Sequence, residues 1–390
     1  MESIEQMIKR LCPEGVDFKK LREVCEMQRG TSMTKKDAIE GNIPVISGGR
    51  EPAFYINQPN REGETITVAG SGAGAGYVQY WNEPIFVNDA FSVKGNEKVL
   101  TKYVYYCMKN MQMKISETKK GGGVPHVHIS NIEHFLIPLP PLEIQNRIVE
   151  VLDKMTTLTA ELEAELEARK QQYEYYRNKL LSFNEIGGGI RQVTWKKISE
   201  IGTVMRGTSF QKKHFTDEGT PCIHYGQIYT QYAHHAYKTF SFVGDEISRS
   251  PRRAKTGALV MATTSENIED VGKCIVWLGK EDVIVSNDAC FIQHTLNPKY
   301  LGYLLQTDSF STYKKKVATG TKVIRINADA VADFVIPVPS MEEQARIVSI
   351  LDRFEALTTD LQNGLPAEIE ARRQQYEYYR NKLLTFDKVA

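Results

Sequence analysis

The sequence lacks the features that mark secreted, metal-binding or membrane proteins. Its six cysteines form no Cys-x-x-Cys pair and occupy no matching positions in the two halves of the chain, which argues against a zinc site or a disulfide framework. They are typical of buried thiols in a reducing compartment. No apolar run is long enough to cross a bilayer, and residues 1–11 are polar rather than signal-like. We therefore expect a cytoplasmic protein without a bound metal.

Catalytic motifs are missing as well. There is no Gly-x-x-x-x-Gly-Lys-Ser/Thr phosphate loop, and no Asn/Asp-Pro-Pro-aromatic tetrad of the amino-methyltransferase type. Glu117, Lys119 and Asp89 come nearest to a nuclease cluster, but this combination is not repeated in the second half. His126 corresponds to Arg325 in the second half, so solvent or DNA contact is favoured over a metal. We expect no cofactor and no catalysis by this chain alone.

The composition is otherwise that of a globular protein with room for two or three domains. The chain has 390 residues, of which 41% are hydrophobic and 25% charged. The net charge is only +1, but it is unevenly distributed. Residues 1–135 and 193–333 carry +1 and +4, whereas residues 140–185 and 338–390 carry −3 and −2. Positive charge on the predicted globular parts is compatible with a DNA-binding face.

The chain is an internal duplication. The eleven residues QQYEYYRNKLL occupy positions 171–181 and again 374–384. Three other motifs recur in the same order, namely Arg-Gly-Thr-Ser, Asn-Asp-Ala and Phe-x-Ile-Pro-x-Pro, which begin at Arg29 and Arg206, at Asn88 and Asn287, and at Phe135 and Phe334. A fixed order of repeated motifs predicts two copies of one structural unit.

Each half combines short strands with a helix near its end. The patterns predict strands at 65–68, 77–81, 258–261 and 274–278, and helices at 102–113 and 300–314. The glycine-rich residues 70–76 precede a strand and not a helix, which argues against a nucleotide site. A flexible loop that approaches the DNA backbone and a plain hairpin turn are both compatible with this run.

A proline-rich stop and a long amphipathic run follow each half. Ser340 and Glu343 form a capping-box pattern at the start of the second run. Apolar residues at steps of three and four predict a narrow seam suited to another helix. A continuous helix over residues 142–183 would be about 60 Å long, whereas Gly364 and Pro366 predict a break or kink in the second run. Residues 184–192, with three consecutive glycines, predict a flexible joint.

These elements predict an α+β fold. We expect two pseudo-twofold-related α/β domains joined by two long antiparallel helices that form a coiled-coil spacer. The predicted boundaries are 1–138 for the first domain, 139–185 for the first helix, 186–337 for the second domain and 338–390 for the second helix. A reader at each end of a spacer suits a DNA target with two separated parts.

The chain resembles the specificity subunit of type I restriction-modification enzymes. The resemblance is carried by residues 135–149 and 334–348, the Arg-Gly-Thr-Ser motif and the Tyr-x-Tyr-Tyr-Arg-x-Lys-Leu-Leu segment, and it covers nearly the whole chain. It implies two target-recognition domains that each read half of a bipartite double-stranded DNA sequence. The four-residue units at 159–166 look like the tract that tunes half-site spacing in this family.

The resemblance also implies the partners. Two methyltransferase subunits would dock on the helical spacer, and restriction and translocase subunits would join them. The assembled complex would act as a site-specific endonuclease and adenine methyltransferase, while this chain would be its non-catalytic subunit. The alternative is a coiled-coil scaffold that joins protein partners without reading DNA.

Cationic and hydroxyl side chains in paired loops form the predicted DNA face. Lys and Arg neutralise phosphates, and Arg with Ser or Thr can read base edges. A single basic residue is more often a solvated surface charge, so the prediction depends on recurrence at equivalent positions. Lysines 314–316 flank the late loop of the second half. The predicted DNA-binding residues are Arg29, Thr31, Ser32, Lys35, Lys36, Gly72, Lys119, Lys120, Arg206, Thr208, Ser209, Lys212, Lys213, Lys322 and Arg325.

A second set of residues is predicted to bind partner subunits. Tyr173 and Tyr176 are assigned to core packing, because adjacent helix positions face different ways. The outward positions of the repeated segment then carry tyrosine and arginine, which favour interface centres; plain surface exposure is the other interpretation. The predicted partner-binding residues are Gln145, Arg147, Tyr175, Arg177, Gln344, Arg346, Tyr378 and Arg380.

Overall fold

The computed structural model describes residues 2–121, 123–183, 193–250, 252–360 and 363–389. The joint predicted at residues 184–192 lies outside these ranges. The chain forms two compact units, of which unit 1 comprises Met1–Glu163 with Glu368–Ala390 and unit 2 comprises Ala164–Ala367. Each unit therefore combines one duplicated half with the end of the long run that follows the other half.

Unit 1 contains a four-stranded antiparallel sheet, a three-stranded mixed sheet and a two-stranded sheet. The elements are α1 (Ile4–Leu11), β1 (Phe18–Lys20), α2 (Leu21–Val24), β2 (Cys25–Arg29), β3 (Ile43–Ile46), β4 (Tyr55–Ile56), β5 (Thr65–Ala69), β6 (Val78–Trp81), β7 (Phe86–Val87), β8 (Ala90–Gly95), α3 (Thr101–Asn110), α4 (Gln112–Glu117), α5 (Ile129–Ile132) and β9 (Leu136–Pro138). Strands β2, β8, β5 and β6 pair in that order, β3 lies between β4 and β7, and β1 pairs with β9. The strands predicted at 65–68 and 77–81 are confirmed as β5 and β6, whereas the helix predicted at 102–113 is divided into α3 and α4.

The first long run is one continuous helix, as predicted. This helix, α6 (Leu142–Ser182), has 41 residues, and its first part belongs to unit 1 and its last part to unit 2. Ile144, Ile148 and Leu152 follow one another at four-residue steps and are fully buried in the core of unit 1. The apolar seam therefore fixes which face of the helix is turned to the domain.

Unit 2 repeats the plan of unit 1 with additional strands. The elements are β10 (Thr194–Lys197), α7 (Ile198–Ile201), β11 (Gly202–Arg206), a 3-10 turn (Lys212–His214), β12 (Phe215–Thr216), β13 (Thr220–Ile223), α8 (Tyr225–Thr230), β14 (His235–Ala236), β15 (Ser241–Val243), α9 (Asp245–Ser248), β16 (Leu259–Ala262), β17 (Thr264–Ser265), β18 (Cys274–Trp277), β19 (Ile284–Val285), β20 (Ala289–His294), α10 (Pro298–Leu304), α11 (Asp308–Val317), β21 (Ile324–Arg325), α12 (Ala328–Asp333) and β22 (Val335–Val338). Strands β11, β20, β16, β18 and β14 form one sheet, β12, β15, β13 and β19 form another, β10 pairs with β22, and β17 pairs with β21. The predicted strands at 258–261 and 274–278 are confirmed as β16 and β18, and the helix predicted at 300–314 is divided into α10 and α11.

The second long run consists of two helices, α13 (Met341–Thr359) and α14 (Leu365–Leu383). Ser340 caps α13, since its side chain accepts a hydrogen bond from the Glu343 backbone N–H at 3.3 Å. The break predicted at Gly364 and Pro366 is confirmed, because α13 ends before these residues and α14 begins at Leu365.

The repeated segment packs against the domain of the other half in each unit. In unit 1, Glu163 pairs with Arg373 at 2.6 Å, and Met155 and Tyr379 line one cavity, so α6 and α14 run antiparallel. In unit 2, the rings of Tyr173 and Tyr176 lie 6.4 and 5.7 Å from the ring of Phe354 on α13. The two identical segments therefore have equivalent surroundings in different units.

The assignment of Tyr173 to the core is confirmed, since it is 6% exposed. The assignment of Tyr176 to the core is wrong, since Tyr176 is 37% exposed although its ring stacks on Phe354. Within the described ranges, no helix combines the length and the apolar character that a bilayer crossing requires.

Candidate DNA interface

The Arg-Gly-Thr-Ser and Asn-Asp-Ala motifs lie side by side at one end of the main sheet. In unit 2, the Gly207 N–H donates to Ala289 O at 3.0 Å, and the Thr208 N–H donates to Val285 O at 2.7 Å. Unit 1 has the same bonds, from Gly30 to Ala90 O and from Thr31 to Val87 O, each at 2.9 Å. The two motifs are therefore parts of one duplicated structure.

A third segment joins this structure from the end of β5 or β16. The Gly70 N–H donates to Asp89 O at 3.0 Å, and the Thr263 N–H donates to Asp288 O at 2.9 Å. The next residues, Ser71 and Thr264, each place a hydroxyl on the neighbouring aspartate, with 3.3 Å between Thr264 Oγ1 and Asp288 Oδ1. Each aspartate is thus held by its own backbone and by one side chain.

The late loop supplies the fourth segment. In unit 2, Arg325 pairs with Thr264 on one side and with Thr319 on the other. In unit 1, His126 forms the equivalent bridges to Ser71 and Lys120. We name these four segments the loop frame: in unit 1 they are residues 29–32, 70–71 and 88–90 and the bridged pair Lys120 and His126, and in unit 2 they are residues 206–209, 263–264, 287–289 and 319–325.

The loop frame of unit 2 encloses a cavity of about 230 Å³. Arg206, Asp288 and Arg325 lie on its wall, together with the buried Cys290. Burial raises the pKa of the Cys290 thiol to about 12, so that part of the wall is uncharged at neutral pH. The cavity therefore presents two guanidinium groups and one carboxylate, which are side chains that can recognise base edges.

Arg206 and Arg325 differ in how firmly the frame holds their side chains. The Arg206 Nε donates to Asn287 O at 3.2 Å, which fixes the base of its guanidinium. Arg325 is exposed, and no side-chain hydrogen bond or ion pair reaches it from the part of the chain that the structure describes. Arg325 thus keeps its full set of donors for a ligand.

The structure gathers several predicted DNA-binding residues on or beside the loop frames. Arg29, Lys120, Arg206 and Arg325 belong to the frames themselves. The Gly72 N–H donates to Pro125 O at 3.0 Å, so the glycine run is a turn between β5 and β6 that lies against the late loop. Thr31, Ser32, Ser209 and Lys322 are also exposed frame residues, and the members that are exposed on adjoining loops or turns are Lys35, Lys36, Lys212 and Lys213.

Other cationic or hydroxyl residues that the sequence places at the DNA face are less available for contact with DNA. Lys119 is half-buried, and the Thr208 hydroxyl is hydrogen-bonded to the Ser250 hydroxyl at 2.6 Å. Lys314, which the sequence places beside the late loop, is buried, and its ammonium donates to Glu269 O and Val271 O. Burial lowers the pKa of Lys314. Lys314 therefore stabilises unit 2 and is unavailable to DNA.

Two predicted partner-binding residues are corrected by burial. Gln145 and Gln344 are 0% and 1% exposed. The Gln145 amide accepts from the Leu100 N–H at 2.9 Å and donates to Lys98 O and Pro140 O. Gln344 accepts from the Asn297 N–H at 2.9 Å and donates to Pro339 O. These amides tie each long run to its own domain and cannot contact another subunit.

Arg177 and Arg380 are also turned inward, although an outward orientation was predicted. Arg177 lies over the Tyr173 ring at 5.1 Å, and Arg380 lies over the Tyr376 ring at 5.3 Å. The Arg380 Nε also donates to Asn110 at 3.2 Å. Stacking on the tyrosine one turn earlier draws both guanidinium groups towards the domain surface.

The other predicted partner residues lie on the surface. Tyr175 and Tyr378 are 57% and 62% exposed. Each meets the following tyrosine edge to face, with ring centroids 5.3 Å apart in both copies. Arg147 and Arg346 are engaged in local ion pairs, Arg147 with Glu150 and Arg346 with Glu343 at 2.7 Å.

Asp89 and Asp288 are frame residues that the sequence analysis does not assign to the DNA face. They could have been found from the sequence, because the Asn-Asp-Ala motif recurs in both halves together with the Arg-Gly-Thr-Ser motif.

Among the described residues, no group of three or more His, Cys, Asp or Glu side chains is placed to hold a metal ion.

Comparisons with known proteins agree with this arrangement. The sequence model of the type I restriction modification DNA specificity domain matches residues 13–169 and 192–371. The EcoR124I/EcoR124II specificity subunit of Escherichia coli is 34% identical over 307 residues, which cover 75% of this chain and 72% of that protein. The MjaVIII specificity subunit of Methanocaldococcus jannaschii is 23% identical and covers 91% of this chain and 90% of its own length.

Solved structures show the same fold. A type I S subunit from M. genitalium superimposes with a TM-score of 0.59 at 16% identity, over 95% of this chain and 96% of that chain. A chain from a study of complex assembly in a type I restriction-modification system gives a TM-score of 0.61 at 18% identity, over 95% and 97% of the two chains. The chain therefore belongs to the family of type I restriction-modification specificity subunits, and its role is DNA sequence recognition.

Proposed function

We propose that this chain reads a bipartite double-stranded DNA target, with one domain for each half-site. The single observation that carries the proposal is the loop frame, which occurs once in each unit with the same backbone hydrogen bonds. A duplicated frame with different side chains suits two readers for two different short sequences. The proposed readers are the domains at residues 1–138 and 186–337.

The exposed cations around each frame supply the electrostatic part of binding. In unit 1, Arg29, Lys35, Lys36 and Lys120 are exposed on the frame or the loop that follows β2. In unit 2, the corresponding exposed cations are Arg206, Lys212, Lys213, Lys322 and Arg325. Phosphate neutralisation by such groups sets affinity and orientation, whereas contacts to base edges set the sequence.

The long helices are the proposed spacer and docking site for the other subunits. Each copy of the repeated segment presents an exposed tyrosine pair, Tyr175 with Tyr176 and Tyr378 with Tyr379. Two equivalent surfaces suit two methyltransferase subunits, because tyrosine is favoured at interface centres. Restriction and translocase subunits would join this assembly, which would act in the cytoplasm and would contain the catalytic centres.

A domain exchange tests the proposal. Residues 16–135 are replaced by the corresponding segment of another specificity subunit, and the full-length hybrid is combined with the methyltransferase subunit. Long-read mapping of methylated adenines then gives the recognised sequence. We expect one half-site to change and the other to stay. An unchanged sequence would contradict the proposal, and failure of the wild-type complex to bind any DNA would favour the protein scaffold without readout.

A further inference from the structure

We propose that position 325, with its counterpart at position 126, determines base specificity in each domain, and that Arg325 reads a guanine in the half-site of unit 2. This inference rests on the proposed function. It concerns the division of labour inside the loop frame, namely which residues build it and which discriminate between bases.

The first step is the comparison of equivalent positions. Arginine, glycine, asparagine and aspartate are the same in both frames, at Arg29 and Arg206, Gly30 and Gly207, Asn88 and Asn287, and Asp89 and Asp288. The residues of the late loop differ: His126, which bridges to Ser71 and Lys120, stands where unit 2 has Arg325, which bridges to Thr264 and Thr319. Two readers of different sequences must differ in the side chains that touch bases, so discrimination belongs to the second group.

The shared residues have a sufficient structural role. The Asn88 amide accepts from the Met33 N–H at 2.9 Å and donates to Met33 O at 3.1 Å, which fixes the loop after β2. Arg206 donates to a backbone oxygen, and both aspartates accept from a hydroxyl of the frame. The aspartate contact occurs in both domains and explains the shared aspartate without any common base in the two half-sites.

Arg325 has the properties of a base reader. It lies on β21, a strand paired on one side with β17, so its backbone is fixed while its side chain is exposed. It lies on the same cavity wall as Asp288. Guanidinium donates in a bidentate manner to the O6 and N7 atoms of guanine, whereas the Asp288 carboxylate already accepts from the Thr264 hydroxyl at 3.3 Å. The free donors of Arg325 therefore fit the major-groove edge of a guanine.

The equivalent residue in unit 1 has different chemistry. His126 is stacked on His128, with ring centroids 5.9 Å apart and an angle of 12° between the planes. An imidazole in this position offers fewer hydrogen-bond donors than a guanidinium, and the stacking on His128 fixes the orientation of its ring. Unit 1 should accordingly read a different base at the equivalent place.

The test uses the full-length chain with its methyltransferase subunit. Arg325→Ala and Arg325→His are compared with Lys322→Ala, an exposed cation three residues away in the same loop. Methylated adenines are mapped by long-read sequencing, and binding of the complex to duplexes with every base at each half-site position is measured at several salt concentrations. Thermal unfolding of each variant checks that the fold is kept.

We expect Arg325→Ala to relax the choice of base at one position of one half-site, with discrimination lower by about 5- to 150-fold. The other half-site and the salt dependence of non-specific binding should stay the same. Arg325→His should change the preferred base at that same position. Lys322→Ala should weaken binding to all sequences alike and reduce the salt slope by about 1.

Other outcomes would overturn the inference. A uniform loss of affinity in Arg325→Ala with an unchanged sequence would make Arg325 a phosphate contact. No change in sequence or affinity would make it a surface charge. In both cases the wild-type complex would still methylate a bipartite sequence, so the proposed function would survive; a wild-type complex without such a sequence would refute both.

Discussion

Gly207 and Ser286 lie so close together that a Cβ atom added to Gly207 would be 2.1 Å from the Ser286 carbonyl oxygen. In unit 1, a Cβ atom on Gly30 would lie 2.0 Å from Asn88 O. This contact explains why the Arg-Gly and Asn-Asp-Ala motifs recur together. The Asn-Asp-Ala loop can lie against the end of the neighbouring strand only where the strand has no side chain.

We predict that Gly207→Ala disrupts the loop frame of unit 2. The overlap is with backbone atoms of a buried segment, which cannot move aside easily, so the cost should exceed about 3 kcal/mol. Thermal unfolding followed by Trp277 fluorescence checks this, because Trp277 is a buried residue of unit 2. Gly244→Ala is the matched control, since its added Cβ atom would lie 3.8 Å from Thr216 in ordinary contact. Equal stability of the two variants would contradict the prediction.

We predict that Tyr303→Phe destabilises unit 2 by about 3 kcal/mol. Burial, followed by its two carboxylate neighbours, raises the pKa of Tyr303, so its hydroxyl keeps its proton, and Asp352 and Glu355, each at 2.6 Å from the hydroxyl oxygen, share this one donor. Without this hydroxyl, the buried Glu355 carboxylate loses its donor. The measurement is urea unfolding of the full chain.

Tyr106→Phe is the matched control for Tyr303→Phe. The Tyr106 hydroxyl donates to Asp153, but Thr156 occupies the position that corresponds to Glu355. We expect a smaller cost of about 1.5 kcal/mol in unit 1. Adding Glu355→Gln to Tyr303→Phe should recover part of the lost stability, because it removes a buried carboxylate that has lost its hydroxyl donor. Equal free-energy costs for Tyr303→Phe and Tyr106→Phe would contradict the prediction that the second carboxylate, Glu355, makes the Tyr303 hydroxyl more important.

Much of the fold could be predicted because duplication and periodicity are properties of the sequence itself. Residues 142–182 form one helix since apolar residues recur at helical steps without a Gly or Pro, and Gly364 with Pro366 interrupts the second run. The side-chain directions of Gln145 and Arg177 could not be predicted, because they depend on which backbone groups and rings the domain brings near. The loop frame was also missed, since its segments are far apart in sequence and only long-range strand pairing joins them.

We predict that unit 2 loses stability in acid through His294. Burial lowers the pKa of His294 from 6.5 to about 4. The unfolded chain therefore takes up a proton near pH 6.5, whereas the folded chain does so only near pH 4. The contribution of His294 to the free energy of unfolding is therefore complete above pH 6.5, and it falls by about 3 kcal/mol as the pH decreases to 4.

The measurement for His294 is the free energy of unfolding as a function of pH. His294→Asn is a suitable reference, because an asparagine oxygen can accept from the Leu296 N–H as His294 Nδ1 does at 3.2 Å. When the free energy of unfolding of the variant is subtracted from that of the wild type at each pH, the contributions of the other titrating groups cancel. A difference that stays constant between pH 7 and pH 4 would show that His294 does not titrate in this way.

We predict that Tyr378→Ala weakens docking of one methyltransferase subunit and that Tyr175→Ala weakens docking of the other. Each substitution removes an exposed ring from the tyrosine pair, and we expect affinity to fall at least tenfold, or about 1.4 kcal/mol, at the affected site. Native mass spectrometry of the assembled complex counts the bound subunits. Gln171→Ala, an exposed change on the same helix, should leave the stoichiometry unchanged.

We predict that Gln145→Ala and Gln344→Ala lower stability without a direct effect on subunit docking. Each amide bridges the backbone before a domain helix to the proline-rich stop, so its removal leaves the Leu100 or Asn297 N–H buried without this acceptor. The expected cost is about 1–3 kcal/mol for each variant. Because Gln145 donates to Lys98 O and Pro140 O, whereas Gln344 donates to Pro339 O, Gln145→Ala should cost more. Urea unfolding measures the cost, and titration with the methyltransferase subunit under folded conditions measures docking. Unchanged stability with weakened docking would return both glutamines to the partner surface, which would require the ends of the long helices to separate from their domains in the complex.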